Sequence, residues 1–225
     1  MKQKGKFALI FESEPWGDNL LLAPVRGIWI FFCLLILPGI LTIAGLSSLY
    51  LSLVPMLAAL LACIGTPVQL GMKKLSIKDI CWTVLAYILM MSLIILLSPY
   101  WEALLEHYGI ETAQQQEALN EVENSSGSLT PVLFICMCIL TPIVEEILFR
   151  RIIYGGFRNI CPAWLAVIVT SLIFSAVHFF VKGFVSLFIM GVMFNLIFLF
   201  RKNLWASILL HAIVNSAAFL FTLKG

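Results

Sequence analysis

Charged residues are scarce in this chain of 225 residues, at 12% of the sequence against about 25% in a soluble domain. Hydrophobic residues make up 61% of it. The net charge of +2 is small, and the sequence lacks a basic stretch interleaved with aromatic residues, which excludes a nucleic-acid-binding protein. The composition therefore predicts an integral membrane protein that contacts the lipid bilayer.

Cysteine offers no recognisable site. Six cysteines lie within or beside apolar runs, and only Cys136 and Cys138 are close in sequence. Their C-x-C spacing has neither the zinc-finger nor the redox pattern. We therefore interpret the cysteines as small apolar packing residues.

Long uncharged runs predict an all-α, polytopic bundle of about seven transmembrane helices. The uncharged stretch from residue 27 to residue 72 is too long for one crossing, which takes about 20 residues, and is divided into two spans. The predicted spans are 27–46, 48–66, 80–99, 131–149 with an extension towards 155, 163–181, 184–200 and 204–222. Residues 1–26 are a polar arm with acidic residues among its lysines rather than a cleavable signal, and 27–222 form a single transmembrane domain.

The distribution of basic residues predicts the orientation in the membrane. With the N-terminus in the cytoplasm, the cytoplasmic segments hold twelve Lys and Arg residues and the external segments hold two. The substantial loop, 100–130, carries six glutamates and no Lys or Arg, and falls outside. This asymmetry follows the positive-inside rule.

Two adjacent glutamates, Glu145 and Glu146, stand in the fourth span, where one acidic residue costs roughly 2.5–3.5 kcal/mol on insertion scales. Glu146 and Arg150 have the i,i+4 spacing of a helix ion pair. Adjacent helical residues point about 100° apart, so the two glutamate side chains cannot point at the same place. We predict that Glu146 pairs with Arg150 while Glu145 faces a cavity. Alternatively, both glutamates cap the cytoplasmic end of the span.

Two of the three histidines also lie in predicted spans. His178 is in the fifth span, and His211 in the seventh shares a helix face with Asn215 at i,i+4. In lipid such groups must face protein or water, and an interhelical hydrogen-bond cluster is the alternative to catalysis. A carboxylate and an imidazole can deprotonate a water, and a second imidazole with a carboxamide can stabilise an oxyanion. These side chains together supply the groups that amide hydrolysis requires.

These motifs, Glu-Glu-x-x-x-Arg, Phe-x-x-x-His and His-x-x-x-Asn in this order, resemble the CPBP family of intramembrane proteases. That family includes the type II CAAX prenyl endopeptidases and bacteriocin-processing and immunity-associated relatives. The resemblance covers 131–222, the predicted catalytic core. It implies an endopeptidase acting on a membrane-associated or lipophilic peptide or protein.

The resemblance also implies roles for the residues. Glu145 is the catalytic carboxylate, Glu146 and Arg150 support it, and His178 helps to activate the water. His211 and Asn215 form the oxyanion site. Members of the family are described both as metalloproteases and as metal-free glutamic proteases. His-Glu-x-x-His is absent and Asn is a poor zinc ligand, which favours the metal-free mechanism and leaves zinc as the alternative.

Two other functions stay open. A proton-coupled transporter would use the same polar residues as a relay, but it predicts inverted repeats, which the sequence lacks. A non-catalytic immunity or scaffold protein of the same fold would bind a peptide without cleaving it. The compact chain and short loops favour a bacterial processing enzyme, in the plasma membrane, over a eukaryotic prenyl protease.

The predicted depths conflict in one respect. At ~1.5 Å per residue, His178 lies about 22 Å into its span and His211 about 10 Å into a parallel one. A shared site therefore requires helix tilt, a longer fourth helix or a fifth span that starts later. Asn195, in the sixth span, is expected to make an interhelical hydrogen bond or to contact the cavity.

Overall fold

The computed structural model describes residues 22–45, 48–62, 71–110 and 130–223, and these ranges contain helices and no strand. Within these ranges seven helical stretches follow one another, and α1 and α4 each combine α-helical and π-helical segments. They are α1 (Leu22–Phe31, Phe32–Ile36 and Leu37–Ile43), α2 (Ser48–Ala62), α3 (Ile77–His107), α4 (Thr130–Arg158), α5 (Ala163–Ala176), α6 (Phe184–Arg201) and α7 (Leu204–Thr222). Five of them, α1, α3, α4, α6 and α7, are long and apolar enough to cross a membrane. The predicted all-α membrane bundle is confirmed.

Several helix boundaries differ from the prediction. α1 begins at Leu22, inside the predicted polar arm, and α3 continues to His107, well past the predicted end at residue 99. α5 ends at Ala176, so the predicted span 163–181 is too long. The rest of the arm (1–21), residues 63–66 of the second span and residues 111–129 of the acidic loop lie outside the described residues.

One end of the bundle is held by polar contacts at the start of α3. Ser76 and Asp79 form a capping box, in which each side chain accepts a hydrogen bond from the other residue's backbone N–H. Asp79 also accepts from Nε of Arg201 at 2.7 Å, which joins this end of α3 to the end of α6. Asn203 caps α7 and accepts a further bond from the backbone N–H of Lys73.

The opposite end of α3 meets the start of α6. The hydroxyls of Ser98 and Ser186 lie 2.8 Å apart, and Nε1 of Trp101 donates to the carbonyl of Val181. Since the start of α3 contacts the end of α6, the two helices are antiparallel. Lysines and arginines gather at the first end, which is the predicted cytoplasmic face: Lys73, Lys74, Lys78, Arg201 and Lys202.

α5 and α6 approach each other closely. A Cβ on Gly191 would lie 3.0 Å from Cα of Ser171, so a larger residue would push the helices apart. Asn195, one turn further along α6, is fully buried and donates to Oγ of Ser171 and to the carbonyl of Gly191. The interhelical hydrogen bond expected of Asn195 is present.

α4 is irregular where the glutamates lie. Its π-helical segments Ile135–Leu140 and Ile147–Ile153 flank the short α-helical segment Thr141–Glu146. π-helical turns recur at functional sites because they change the directions in which side chains point. In α4 they bracket both Glu145 and Glu146.

Candidate active site

Glu146 and Arg150 form a buried ion pair, with both side chains 0% exposed. Nε of Arg150 lies 2.8 Å from Oε2 of Glu146, and Nη2 lies 3.1 Å from Oε1. The guanidinium also lies 5.5 Å from the ring centroids of Phe174 and Phe194. A charge removed from water needs such a partner, so the pair predicted from the i,i+4 spacing is present in the folded chain.

The carboxylate of Glu146 has two further partners, both from α7. Nδ1 of His211 lies 3.1 Å from Oε1, and the hydroxyl of Ser207 donates to Oε2. The Ser207 hydroxyl also lies within hydrogen-bond distance of the carbonyl of Phe194. The sequence prediction missed Ser207, although its position four residues before His211 on the same helix face was a readable signal.

Glu145 faces the other side of the same imidazole. Its Oε2 atom lies 3.9 Å from Nε2 of His211. This oxygen is buried and has no hydrogen-bond partner among the described residues, although the side chain as a whole is 14% exposed. A gap of 3.9 Å exceeds a direct hydrogen bond and suits a bridging water or substrate group.

The contact with Glu146 determines which nitrogen of His211 carries a proton. An ionised carboxylate only accepts hydrogen bonds, so Nδ1 of His211 is the donor in the contact with Glu146. A second proton on Nε2 would make His211 a cation beside Glu145.

His178 lies beyond the end of α5, in the turn that leads to α6. Its predicted position within the fifth span is therefore wrong, because the helix ends at Ala176. Nδ1 of His178 lies 2.6 Å from the carbonyl of Phe174. Because a carbonyl only accepts, Nδ1 carries the proton and Nε2 presents its lone pair.

Phe174 links the two histidines. Its ring centroid lies 4.7 Å from that of His178 and 6.0 Å from that of His211. Both histidine rings therefore contact the same aromatic side chain. The His211 ring also stacks on Phe194 at 4.7 Å, which holds its plane.

Asn215 and His211 both face α4 but contact different turns of it. Nδ2 of Asn215 donates to the backbone carbonyl of Met137 at 2.8 Å, while His211 contacts Glu146. Their partners on α4 are nine residues apart in sequence. A shared oxyanion site for the two side chains stays a prediction.

Zinc is the alternative to the metal-free mechanism that the resemblance leaves open. Within the described ranges, no group of three or more His, Cys, Asp and Glu side chains is spaced to hold a metal ion. Catalytic zinc sites use three protein ligands plus a water, and the described side chains offer no such ligand group.

Comparison with known proteins confirms the resemblance read from the motifs. Residues 127–217 match the family model described as Type II CAAX prenyl endopeptidase Rce1-like, and this segment contains all six predicted site residues. The chain is 30% identical over 109 residues to YdiL of Bacillus subtilis (strain 168), provisionally named a membrane peptidase. It is 29% identical over 164 residues to the membrane-embedded CAAX protease MroQ of Staphylococcus aureus (strain USA300).

These similarities are partial. The first covers 46% of this chain and 45% of YdiL, and the second covers 70% of this chain and 64% of MroQ. The chain thus matches between about half and two thirds of the length of these relatives. No solved structure matches the chain.

Proposed function

We propose, from the family match of residues 127–217 and the geometry around Glu145, that this chain is a membrane-embedded endopeptidase. One observation carries the mechanism: the buried, unpartnered Oε2 of Glu145 faces Nε2 of His211 at 3.9 Å. A polar group buried without a partner is costly, so its retention in an apolar helix favours a role with a bound water or substrate.

Glu145 acts as the general base. It takes a proton from a water, the resulting hydroxide attacks the peptide carbonyl carbon, and the carbonyl oxygen becomes an oxyanion. His178 accepts a hydrogen bond from the second hydrogen of that water through the lone pair on Nε2, which its bond to Phe174 leaves available. Glu145 then passes its proton to the leaving nitrogen and the C–N bond breaks. The carboxylic acid that forms gives its proton to the released amine, which leaves a carboxylate and an ammonium group.

His211 stabilises the oxyanion. Its Nε2–H donates to the oxygen, while its Nδ1–H stays bonded to Glu146. Glu146, held by Arg150 and Ser207, fixes the ring orientation and balances the imidazolium charge. The resemblance also implies an oxyanion contact from Asn215, which stays a prediction.

The proposed substrate is a membrane-associated or lipophilic peptide or protein tail. The polar cluster lies among apolar helices, so a peptide that partitions into the bilayer reaches it more readily than a soluble one does. We propose that the N-terminus lies in the cytoplasm, because the lysines and arginines gather at the end of the bundle formed by the starts of α3 and α7. We propose a bacterial plasma membrane because YdiL and MroQ are both bacterial proteins.

The experiment compares peptide termini in membranes from cells that carry the wild-type chain, Glu145→Ala or Glu102→Ala. Glu102 pairs with Lys182 at the opposite end of α3. Glu102→Ala is therefore the matched control, since it removes a carboxylate outside the site. We expect new termini with the wild type and with Glu102→Ala that vanish with Glu145→Ala. Cleavage retained by purified Glu145→Ala would refute the base assignment. Identical profiles at equal protein levels would favour a peptide-binding immunity protein.

A further inference from the structure

The backbone of α4 has a missing hydrogen-bond donor at Pro142. The π-helical segment Ile135–Leu140 uses bonds from residue i+5, and the N–H of Thr141 accordingly donates to the carbonyl of Cys136. The next bond in this series would run from residue 142 to the carbonyl of Met137. Proline has no N–H, so the helix cannot supply it.

The missing donor comes from α7. Nδ2 of Asn215 lies 2.8 Å from the Met137 carbonyl, and the contact is partly buried. Membrane helices tolerate proline where a neighbouring helix satisfies the freed backbone group, and the Asn215 carboxamide satisfies it here. We propose that Asn215 is a positioning residue, which caps the carbonyl orphaned by Pro142 and so holds the turn of α4 that presents Glu145.

The other contacts between the helices support this role. α7 meets α4 at intervals of four residues: His211 contacts Glu146, Asn215 contacts Met137, and the ring of Phe219 packs edge-on against Phe134 at 5.4 Å. The chain from Met137 to Glu146 is therefore fixed at both ends, with Pro142 and Glu145 between them. Loss of the Asn215 contact would free one end, and Glu145 would lose its alignment with His211.

The link to catalysis rests on the proposed function, whereas the capping bond can be tested without it. The test is a double-mutant cycle of Asn215→Ala and Pro142→Ala in the full-length protein, purified in detergent. Ala at position 142 restores an N–H that can reach the Met137 carbonyl, so it replaces the donor that Asn215→Ala removes. The two readouts are Tm and, per folded protein, the rate at which Glu145-dependent termini form.

Asn215→Ala alone is expected to lower Tm by about 5 °C and to slow cleavage at least ~10-fold. In the Pro142→Ala background the same change should lower Tm by less than ~2 °C and slow cleavage less than ~3-fold. If Asn215→Ala does not accumulate, recovery of folded protein in the double variant supports the cap. The proposal is overturned if Pro142→Ala accumulates as folded protein while Asn215→Ala and the double variant do not.

Equal effects of Asn215→Ala in the two backgrounds would also overturn the proposal. An unchanged loss of rate would identify Asn215 as a direct oxyanion donor, and an unchanged loss of Tm would show that Pro142 does not orphan the carbonyl. Asn195→Ala is the matched control, since that buried asparagine bonds to Ser171 and Gly191 rather than to α4, and its effects should be additive with Pro142→Ala. If no Glu145-dependent termini exist, the proposed proteolytic function is refuted. The Tm values of the double-mutant cycle then still test whether Asn215 caps the Met137 carbonyl.

Discussion

Oε2 of Glu145 and Nε2 of His211 face each other at 3.9 Å, with no hydrogen-bond partner for the carboxylate oxygen among the described residues. The opposite nitrogen of the same ring is bonded to Glu146. One imidazole thus stands between two carboxylates, of which one is saturated with hydrogen bonds and the other is available to a ligand. The adjacent glutamates differ in environment, and the proposed mechanism assigns the supporting role to Glu146 and the reactive role to Glu145.

Glu146→Ala is expected to lower the yield of folded protein at least as much as it lowers activity. It leaves the guanidinium of Arg150 buried without its partner, and breaking such a pair costs about 3–5 kcal/mol. Yield and Tm of the purified variant measure the effect, and Glu146→Leu combined with Arg150→Leu should recover part of the loss. A Glu146→Ala protein that is well expressed but inactive would indicate that Glu146, rather than Glu145, is the catalytic carboxylate.

His178→Ala should abolish turnover, by roughly 100-fold or more, while the protein stays inserted and folded. The side chain is partly exposed, its hydrogen bond is to the backbone of its own turn, and Phe174 is its one aromatic contact in the described residues, so its loss should affect stability less than turnover. The rate of formation of Glu145-dependent termini is the measurement. Lys182→Ala, in the same turn, is the control and should cleave normally. Turnover near the wild-type rate in His178→Ala would remove this histidine from the mechanism.

Ser207→Ala should weaken both stability and turnover without abolishing either. The change removes one of the donors to the buried carboxylate of Glu146 and costs about 1–3 kcal/mol, while Arg150 and His211 still bind it. Tm and cleavage rate should fall together, and Ser207→Thr, which keeps the hydroxyl, should restore most of both. An unchanged Tm and rate in Ser207→Ala would show that Glu146 does not depend on this hydroxyl.

Turnover by the purified protein should persist after treatment with a metal chelator. The described residues do not fit a three-ligand zinc site, and the proposed general base is a carboxylate that needs no metal. Activity before and after chelation, with metal content measured in the same sample, provides the check. Loss of cleavage that added zinc restores would replace the glutamic mechanism by a metal-dependent one.

Local features of the site followed from the sequence. The Glu146–Arg150 pair depends only on the four-residue spacing along one helix, and the folded chain contains it. The membrane bundle followed from long apolar runs, since backbone groups in lipid must be satisfied within helices. The end of α5 did not follow, because hydropathy continues through Phe180 while the helix ends four residues earlier.

The sequence by itself determined the membrane class, the order of the helices and the residue types that meet in the site. Periodicity and hydropathy act over a few neighbouring residues, so they determine these properties directly. Only the tertiary structure decided that His211 lies between the two glutamates and that Asn215 contacts the carbonyl of Met137. Those contacts join residues 65, 66 and 78 positions apart, and they depend on how α7 packs against the irregular turns of α4.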